Sequence, residues 1–354
     1  MDLPVQPPFA PMLARLAREL PVDGYVYEPK WDGFRCLAFR DGPALEMRSR
    51  NDRPLARYFP ELADALVGLP ASRFALDGEL VVVGPAGFDF AALLSRLHPA
   101  ASRVERLRRE APATLICFDL LAADDTDLRD RPFRERRGAL AELLDGVGPP
   151  LVLTPLTDRV EEAAGWLERL QGGGADGVIA KHREQPYRGG AREMVKVKRE
   201  QTADCVVAGL RLLADRPLLS SLLLGVYDER GELQHIGVAT QFTDAMRHEL
   251  LVELDPLVVP IAGHPWERGF LLGGSPMGRL RGAAARWSPE EMELDWVPLD
   301  PVRVCEVTYD HLDRDRLRHP ARFRRWREDR DPRSCTFDQF AAPGAEAEEL
   351  IGPR

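Results

Sequence analysis

One stretch constrains this chain more than any other. Over residues 27–35 a strand-like run is broken by a single charged turn, Lys30-Trp31-Asp32-Gly33, so two successive strands must meet around a lysine and a carboxylate. Lys30 is one of only four lysines, with Lys181, Lys196 and Lys198, in a chain that carries 48 Lys plus Arg. Arginine and lysine do similar work on a solvated surface, but only lysine can shed its proton near neutral pH and act as a nitrogen nucleophile. A GC-rich genome that replaced surface lysine by arginine would also leave few lysines, scattered at random. Here Lys30 lies inside Lys-x-Asp-Gly-x-Arg, and Lys196 and Lys198 alternate with Val195 and Val197, which puts both on one face of a strand.

The rest of the composition bounds the setting. At 354 residues, 44% apolar and 30% charged, the chain is long enough for two domains with cores of their own and is not of disordered composition. Residues 1–10 lack the basic start and apolar run of a secretory signal, and no apolar span reaches membrane length. The five cysteines (Cys36, Cys117, Cys205, Cys305, Cys335) are odd in number, far apart and form no Cys-x-x-Cys pair. That argues against a disulfide framework or a zinc site and for a reducing cytoplasm. The net charge of −9 speaks against nucleic acid only until its distribution is considered: arginines cluster over 96–109, 129–137 and 314–333, whereas the tail is acidic. For any single cluster, a solvated helix face is an equally good account.

Periodicity and turn chemistry predict an α+β chain. A short amphipathic helix is expected over 12–20, then strands over 25–27, 34–40 and 45–48, the last two joined by an Asp41-Gly42 hairpin turn. A helix over 58–66 precedes a buried strand over 73–83, whose centre, Asp77-Gly78-Glu79, is charged and needs a reason. An Arg-rich helix or pair of helices follows over 93–109, then a strand over 113–121 containing Phe118-Asp119, a helix over 134–144, a strand over 151–153 and a helix over 160–171. Glycines 172–174 turn into a short strand ending at Lys181, and residues 193–199 form the strand with both alternating lysines. From Asp204 the texture becomes β-rich: strands over 205–213, 221–227 and 233–239, a helix over 243–254 capped by Thr243, a loop over 259–298 and a strand over 302–309. A helix after the third strand resembles a small five-stranded barrel of the OB type. The expected domains are 1–201 and 202–337, with 338–354 an acidic tail of disordered composition.

Taken in order, these charged motifs resemble those of an ATP-dependent DNA ligase of the covalent nucleotidyltransferase superfamily. The likeness runs over residues 28–336 and is similar, more narrowly, to the small stand-alone bacterial type called ligase C. It implies an adenylation domain of antiparallel sheets and helices followed by an OB-fold barrel. By the resemblance Lys30 is the nucleophile that attacks the α-phosphate of ATP, Asp32 and Gly33 shape its turn, and Arg35 contacts phosphate and DNA. Arg50, in Arg48-Ser49-Arg50-Asn51, would hold the adenylate ribose and the 5′-phosphate end of a nick, Glu79 would lie near ribose and metal, and Phe118 would stack on adenine. As residue types alone, Phe118 is as easily an ordinary core phenylalanine. Glu28, beside the nucleophile, is counted with the groups around ATP. Asp176, in Asp176-Gly177-Val178-Ile179-Ala180-Lys181, stands where the family commonly has Glu and would share the metal, Mg²⁺ or Mn²⁺, with Glu79. Lys181 would sit near the phosphates or serve as a salt-bridge lysine, and Lys196 and Lys198 would stabilise charge on the α-phosphate.

In the second domain Arg327, Asp329 and Arg330 match a segment that orients the pyrophosphate leaving group, with Arg330 where Lys is more usual. The resemblance implies three steps: adenylation of Lys30, transfer of AMP to the 5′-phosphate of a nick, and attack of the 3′-hydroxyl with release of AMP. A hinge is expected near 201–204. Nicked duplex DNA is the expected partner, held through phosphates by a monomer without an N-terminal helical DNA-binding domain, with DNA-repair proteins as further partners. Two alternatives remain at this point. An RNA ligase or a capping guanylyltransferase carries the same Lys-x-Asp-Gly and barrel, and a scaffold that had lost its chemistry would keep the fold.

Overall fold

A computed structural model describes the chain except residues 85–86, 99, 171–173, 199, 268, 270–295, 311, 314, 341–349 and 351–354. Two of the three glycines of the expected turn, most of the expected 259–298 loop and most of the expected tail therefore lie outside the described residues. The chain divides into two compact units, one built on Met1–Arg199 and the other on Glu200–Ala341.

The strands of the first unit are β1 (Leu13–Ala17), β2 (Tyr25–Trp31), β3 (Phe34–Asp41), β4 (Ala44–Ser49), β5 (Arg73–Gly84), β6 (Gly87–Phe88), β7 (Ala113–Ala123), β8 (Thr126–Asp127), β9 (Leu151–Leu153), β10 (Ala175–His182) and β11 (Arg192–Val197). Its helices are α1 (Pro60–Gly68), α2 (Phe90–Arg96), α3 (Ala101–Glu110), α4 (Phe133–Leu143) and α5 (Val160–Arg169). They build two sheets, a four-stranded one in the order β1-β11-β10-β2 and a seven-stranded one along β4-β3-β5-β7-β8, with β6 on β5 and β9 on β7. The β3–β4 hairpin turns at Asp41↔Ala44 with Gly42 at φ 59°, as the Asp-Gly pair predicts. Phe59, Leu62, Leu66 and Leu140 close one face of the large sheet over Phe74, Leu76 and Leu115, all fully buried. Burial of each such side chain contributes about 1.5–3 kcal/mol. Ala163 and Trp166 of α5 do the same for Val178 and Ala180 of the small sheet.

The helix expected over 12–20 is instead the strand β1. Its residues pair in parallel with β11, Leu16 opposite Lys196, and so cover an edge that β11 would otherwise leave bare. Leu, Ala and Arg are good helix formers, but so short a segment cannot hold a helix by itself and gains more from that ladder than from a lone turn of helix. The other local expectations for the first unit are met to within a few residues, with the Arg-rich segment forming two helices, α2 and α3.

The second unit has β12 (Gln201–Leu212), β13 (Leu219–Tyr227), β14 (Leu233–Thr240), α6 (Asp244–Leu254), β15 (Val297–Tyr309), β16 (Leu312–Asp313), β17 (Arg316–Leu317) and β18 (Ala321–Trp326). A closed barrel runs β12-β13-β14-β18-β15 around Val206, Leu222, Leu224, Ile236 and Val304. Thr243 caps α6, its hydroxyl accepting from Met246 N–H at 3.3 Å. The fifth strand, β18, comes from the Arg-rich stretch Ala321-Arg322-Phe323-Arg324-Arg325-Trp326, where arginine density hides the alternation of a strand.

Candidate active site

The site is built where β2 turns into β3. Gly33 is required there: a Cβ at this position would come 2.0 Å from the backbone oxygen of Leu80, so only glycine lets the turn lie against β5. The Gly33 N–H donates to Glu79 Oε1 at 3.2 Å and Asp32 N–H to Gly174 O at 3.1 Å. Trp31 anchors the turn from below, its Nε1–H donating to Thr154 Oγ1 at 2.9 Å.

Lys30 meets its counterion through an irregularity of the small sheet. Trp31 pairs with Ala175 but Pro29 with Val178, so β10 carries one residue more than β2 between these rungs. This bulge aims Asp176 at the Lys30 turn, with Asp176 Oδ1 2.5 Å from Lys30 Nζ and Oδ2 in contact with Lys198 Nζ. Gly177 makes the bulge possible, for it has φ 155° and a Cβ there would come 2.3 Å from Val197 O. Burial opposes ionisation of Asp176, yet the charges of Lys30 and Lys198 together outweigh it and hold its pKa below the ordinary carboxylate value. Lys196 pairs with Ile179, which pairs with Glu28, so it sits one strand further along. Burial lowers its pKa, and the charges of Lys30 and Lys198 add to the effect.

Around this cluster lies a cavity of about 750 Å³, lined from the small sheet by Glu28, Lys30, Lys181 and Lys196 and from the large one by Arg35, Glu79 and Phe118. Lys181 is buried apart from Lys30, its ammonium 2.8 Å from Glu28 Oε2, donating to Phe118 O at 2.9 Å and lying 4.8 Å from the centre of the Phe118 ring. The other carboxylate oxygen of Glu28 is buried and has no hydrogen-bond partner among the described residues. Burial raises the Glu28 pKa, and Lys181 and Arg137 pull it back only in part. The Phe118 ring is half-buried and takes Arg35 over it at 4.7 Å.

Arg35 is less available than its position in the motif suggests. Asp77, fully buried, holds its Nε and Nη2 at 2.5 Å each, and Met12 O accepts a further bond at 3.2 Å. Asp77 also accepts from the Tyr187 hydroxyl at 2.6 Å, which in turn accepts Met12 N–H at 2.9 Å. These bonds give the charge of Asp77 in mid-strand its reason. Burial pushes the Glu79 carboxyl up to about 7, Arg35 and Lys30 opposing the rise and Asp32 and Asp77 adding to it. A divalent cation would relieve such a carboxyl and so fits Glu79. It does not fit Asp176 as arranged, because both oxygens are taken by ammonium groups. Among the described residues no three His, Cys, Asp or Glu side chains converge as a metal site.

Arg50 lines the cavity from the turn after β4, accompanied by Arg53, Arg57 and Tyr58, none of which belongs to a motif. Arg192 and Met194 also line it and are likewise outside the motifs, although they share the period-two face of Lys196 that strand geometry makes legible. In the second unit Arg327 is held by Asp204 at 2.9 and 3.0 Å and by Asp329 at 2.9 Å, and Arg330 Nε lies 3.3 Å from Asp204. The sequence marks Asp204 only as a domain boundary.

A lysine paired with a carboxylate in a two-sheet cavity, followed by a closed five-stranded barrel, is the architecture of a nucleotidyltransferase. Residues 11–198 match the model of the ATP dependent DNA ligase domain, and residues 215–330 that of the ATP dependent DNA ligase C terminal region. The chain is 48% identical to DNA ligase C2 of Mycolicibacterium smegmatis over 97% of each chain. It is 46% identical to DNA ligase C of Mycobacterium tuberculosis over 97% of this chain and 96% of that one. A solved Lig E DNA ligase, 18% identical, shares the fold with a TM-score of 0.54 over 90% of this chain and 99% of its own. The chain belongs to the ATP-dependent DNA ligases. It seals nicks in DNA and uses ATP to do so.

Proposed function

We propose that Lys30 carries the adenylate in this reaction. One observation supports this above the others: all four lysines of the chain gather here, three lining one cavity and the fourth sharing the Asp176 carboxylate with Lys30. In the first step the Lys30 amine, having lost a proton to solvent, forms a bond to the α-phosphorus of ATP and the bond to pyrophosphate breaks. Lys196 and Lys198 supply positive charge for the phosphate oxygens. A 5′-phosphate oxygen of the nick then attacks the same phosphorus and displaces the lysine. Finally the 3′-hydroxyl attacks the 5′-phosphate and AMP leaves.

Phe118 suits stacking on adenine, and the unpartnered Glu28 oxygen suits an amino-group donor at its edge. Lys181 then acts on the base through Glu28, and its part near the phosphates passes to Lys196. Arg35, clamped by Asp77, acts through the position of Phe118 and by its charge, and Arg50 meets ribose or the nick. Glu79 would hold Mg²⁺ or Mn²⁺. Such an ion would neutralise charge on the phosphates. Asp176 becomes available to it once adenylation removes the charge of Lys30. Arg327, Asp329 and Arg330 belong with release of pyrophosphate.

We further place residues 1–201 as the adenylation domain and 202–337 as the barrel, and the enzyme as a monomer acting on nicked duplex DNA in repair. The buried, unpaired state of all five cysteines suits the cytoplasm. Incubation with labelled ATP and Mg²⁺ should give an acid-labile covalent adduct that Lys30→Ala abolishes. No adduct with the wild-type protein, or an undiminished one with the variant, would sink this reading.

A further inference from the structure

The charge balance around the cavity is uneven. Glu46 and Asp52 are both engaged by Arg48, Glu61 by Arg96, and Asp64 by Arg108. Every acidic side chain of the 46–64 segment is therefore committed elsewhere. Arg50, Arg53 and Arg57 lie between them, all exposed and all lining the cavity, and have no carboxylate partner among the described residues. Three neighbouring cations left unneutralised in a chain of net charge −9 make a site for an anion.

Their backbone is fixed. Ser49 N–H donates to Arg53 O at 2.8 Å and Arg53 N–H returns to Ser49 Oγ at 3.1 Å, closing a turn with Asp52 in the left-handed region at φ 57°. Leu55, buried, donates from its N–H to Met47 O at 2.8 Å and pins the next residues to β4. The Arg57 guanidinium rests over the Tyr58 ring at 4.6 Å. Planar guanidinium groups on a rigid frame suit bidentate capture of phosphate oxygens.

Two cationic walls thus face one cavity. The lysines come from the small sheet, where Lys30 must meet the α-phosphate of ATP. The arginines follow β4, the edge strand of the large sheet, and their exposure keeps them open to a polymer. We infer that Arg53 and Arg57, beside Arg50, form a phosphate-binding wall for the nicked DNA strand, distinct from the lysines that serve ATP. This rests on the ligase reading of the cavity and adds DNA-binding residues that its motifs do not contain.

The test uses the full chain with R53A/R57A and with R53K/R57K. Binding of a nicked duplex with a 5′-phosphate is followed by fluorescence anisotropy over a range of salt, and adduct formation is followed over a range of ATP. For R53A/R57A the slope of log affinity against log salt should become shallower by about 1.8, at about 0.9 for each phosphate no longer neutralised, whatever the DNA sequence. The ATP concentration for half-maximal adduct formation should move by less than about twofold, too little for arginines that grip the triphosphate. R53K/R57K should keep most of the slope and weaken affinity. A wild-type slope in R53A/R57A overturns the inference. So does a matching loss of ATP affinity, which would give the arginine wall to the triphosphate. Failure of the wild-type protein to form an adduct is a separate result, against the role of Lys30 alone.

Discussion

Glu79→Gln separates what the site needs from what the fold tolerates. Burial raises the Glu79 pKa from 4.5 to about 7, so the native protein binds this proton more tightly than the unfolded chain. The associated stability is fully present below pH 4.5 and is lost as pH rises through about 7. At about 1.4 kcal/mol per tenfold in proton affinity, the loss reaches about 3 kcal/mol by pH 8. Glutamine has no such dependence, and its amide oxygen can keep the bond from Gly33 N–H. The variant should therefore match the wild type near pH 4.5 and exceed it at pH 8 by up to about 3 kcal/mol. For a unit of this size that is roughly 6–12 °C in melting temperature. Thermal melts without nucleotide or divalent metal, taken from pH 5 to 9, measure the difference directly. Its adduct formation should fall at the same time, a stability gain at the expense of activity. Melting curves that stay a constant distance apart across this range, or a less stable variant at pH 8, would refute the argument.

Three further outcomes are expected. Gly33→Ala drives a Cβ into the Leu80 carbonyl and should destabilise the protein by at least about 2 kcal/mol in a denaturant melt, with loss of the adduct as the nucleophile turn lifts from β5. Asp77→Asn breaks a fully buried pair with Arg35 and should cost about 3–5 kcal/mol, Tyr187→Phe about 1–3 kcal/mol. Because both act on one network, their effects in a double-mutant cycle should not add. Lys181→Met removes the nearest charge that keeps the buried Glu28 ionised, so it should raise the ATP concentration for half-maximal adduct formation, increasingly so as pH falls, with a smaller effect on the maximal rate.

The fold was legible wherever a local signal agreed with the tertiary context. The Asp41-Gly42 hairpin, the Thr243 cap and the long apolar strands are of this kind, and a helix after the third barrel strand was enough to suggest the barrel. Apart from the two-residue strands, two escaped. β1 is defined by the ladder it completes on β11, a fact about residues some 180 positions away. β18 is so rich in arginine that charge masks its period of two, and its pairing with both β14 and β15 decides its state.

The site was legible in its chemistry and less so in its electrostatics. Motif order pointed to Lys30, Glu79, Phe118 and Lys196, which line one cavity, and to Lys198, which shares Asp176 with Lys30. Which charges neutralise which depends on geometry that no motif encodes. Lys181 pairs with Glu28 beside the aromatic ring, and Asp176 bridges Lys30 and Lys198 by way of a bulge. Asp, the shorter carboxylate, is thereby explained without reference to a metal. A bulge already brings its carbon skeleton to the lysines, so the extra methylene of glutamate would have to fold back to reach the same two ammonium groups. Asp176→Glu should accordingly keep the negative charge yet loosen the lysine pair, and adduct formation should fall severalfold while the melting temperature changes little. A variant as active as the wild type would show that reach at position 176 is immaterial, and that the carboxylate serves the lysines from either length.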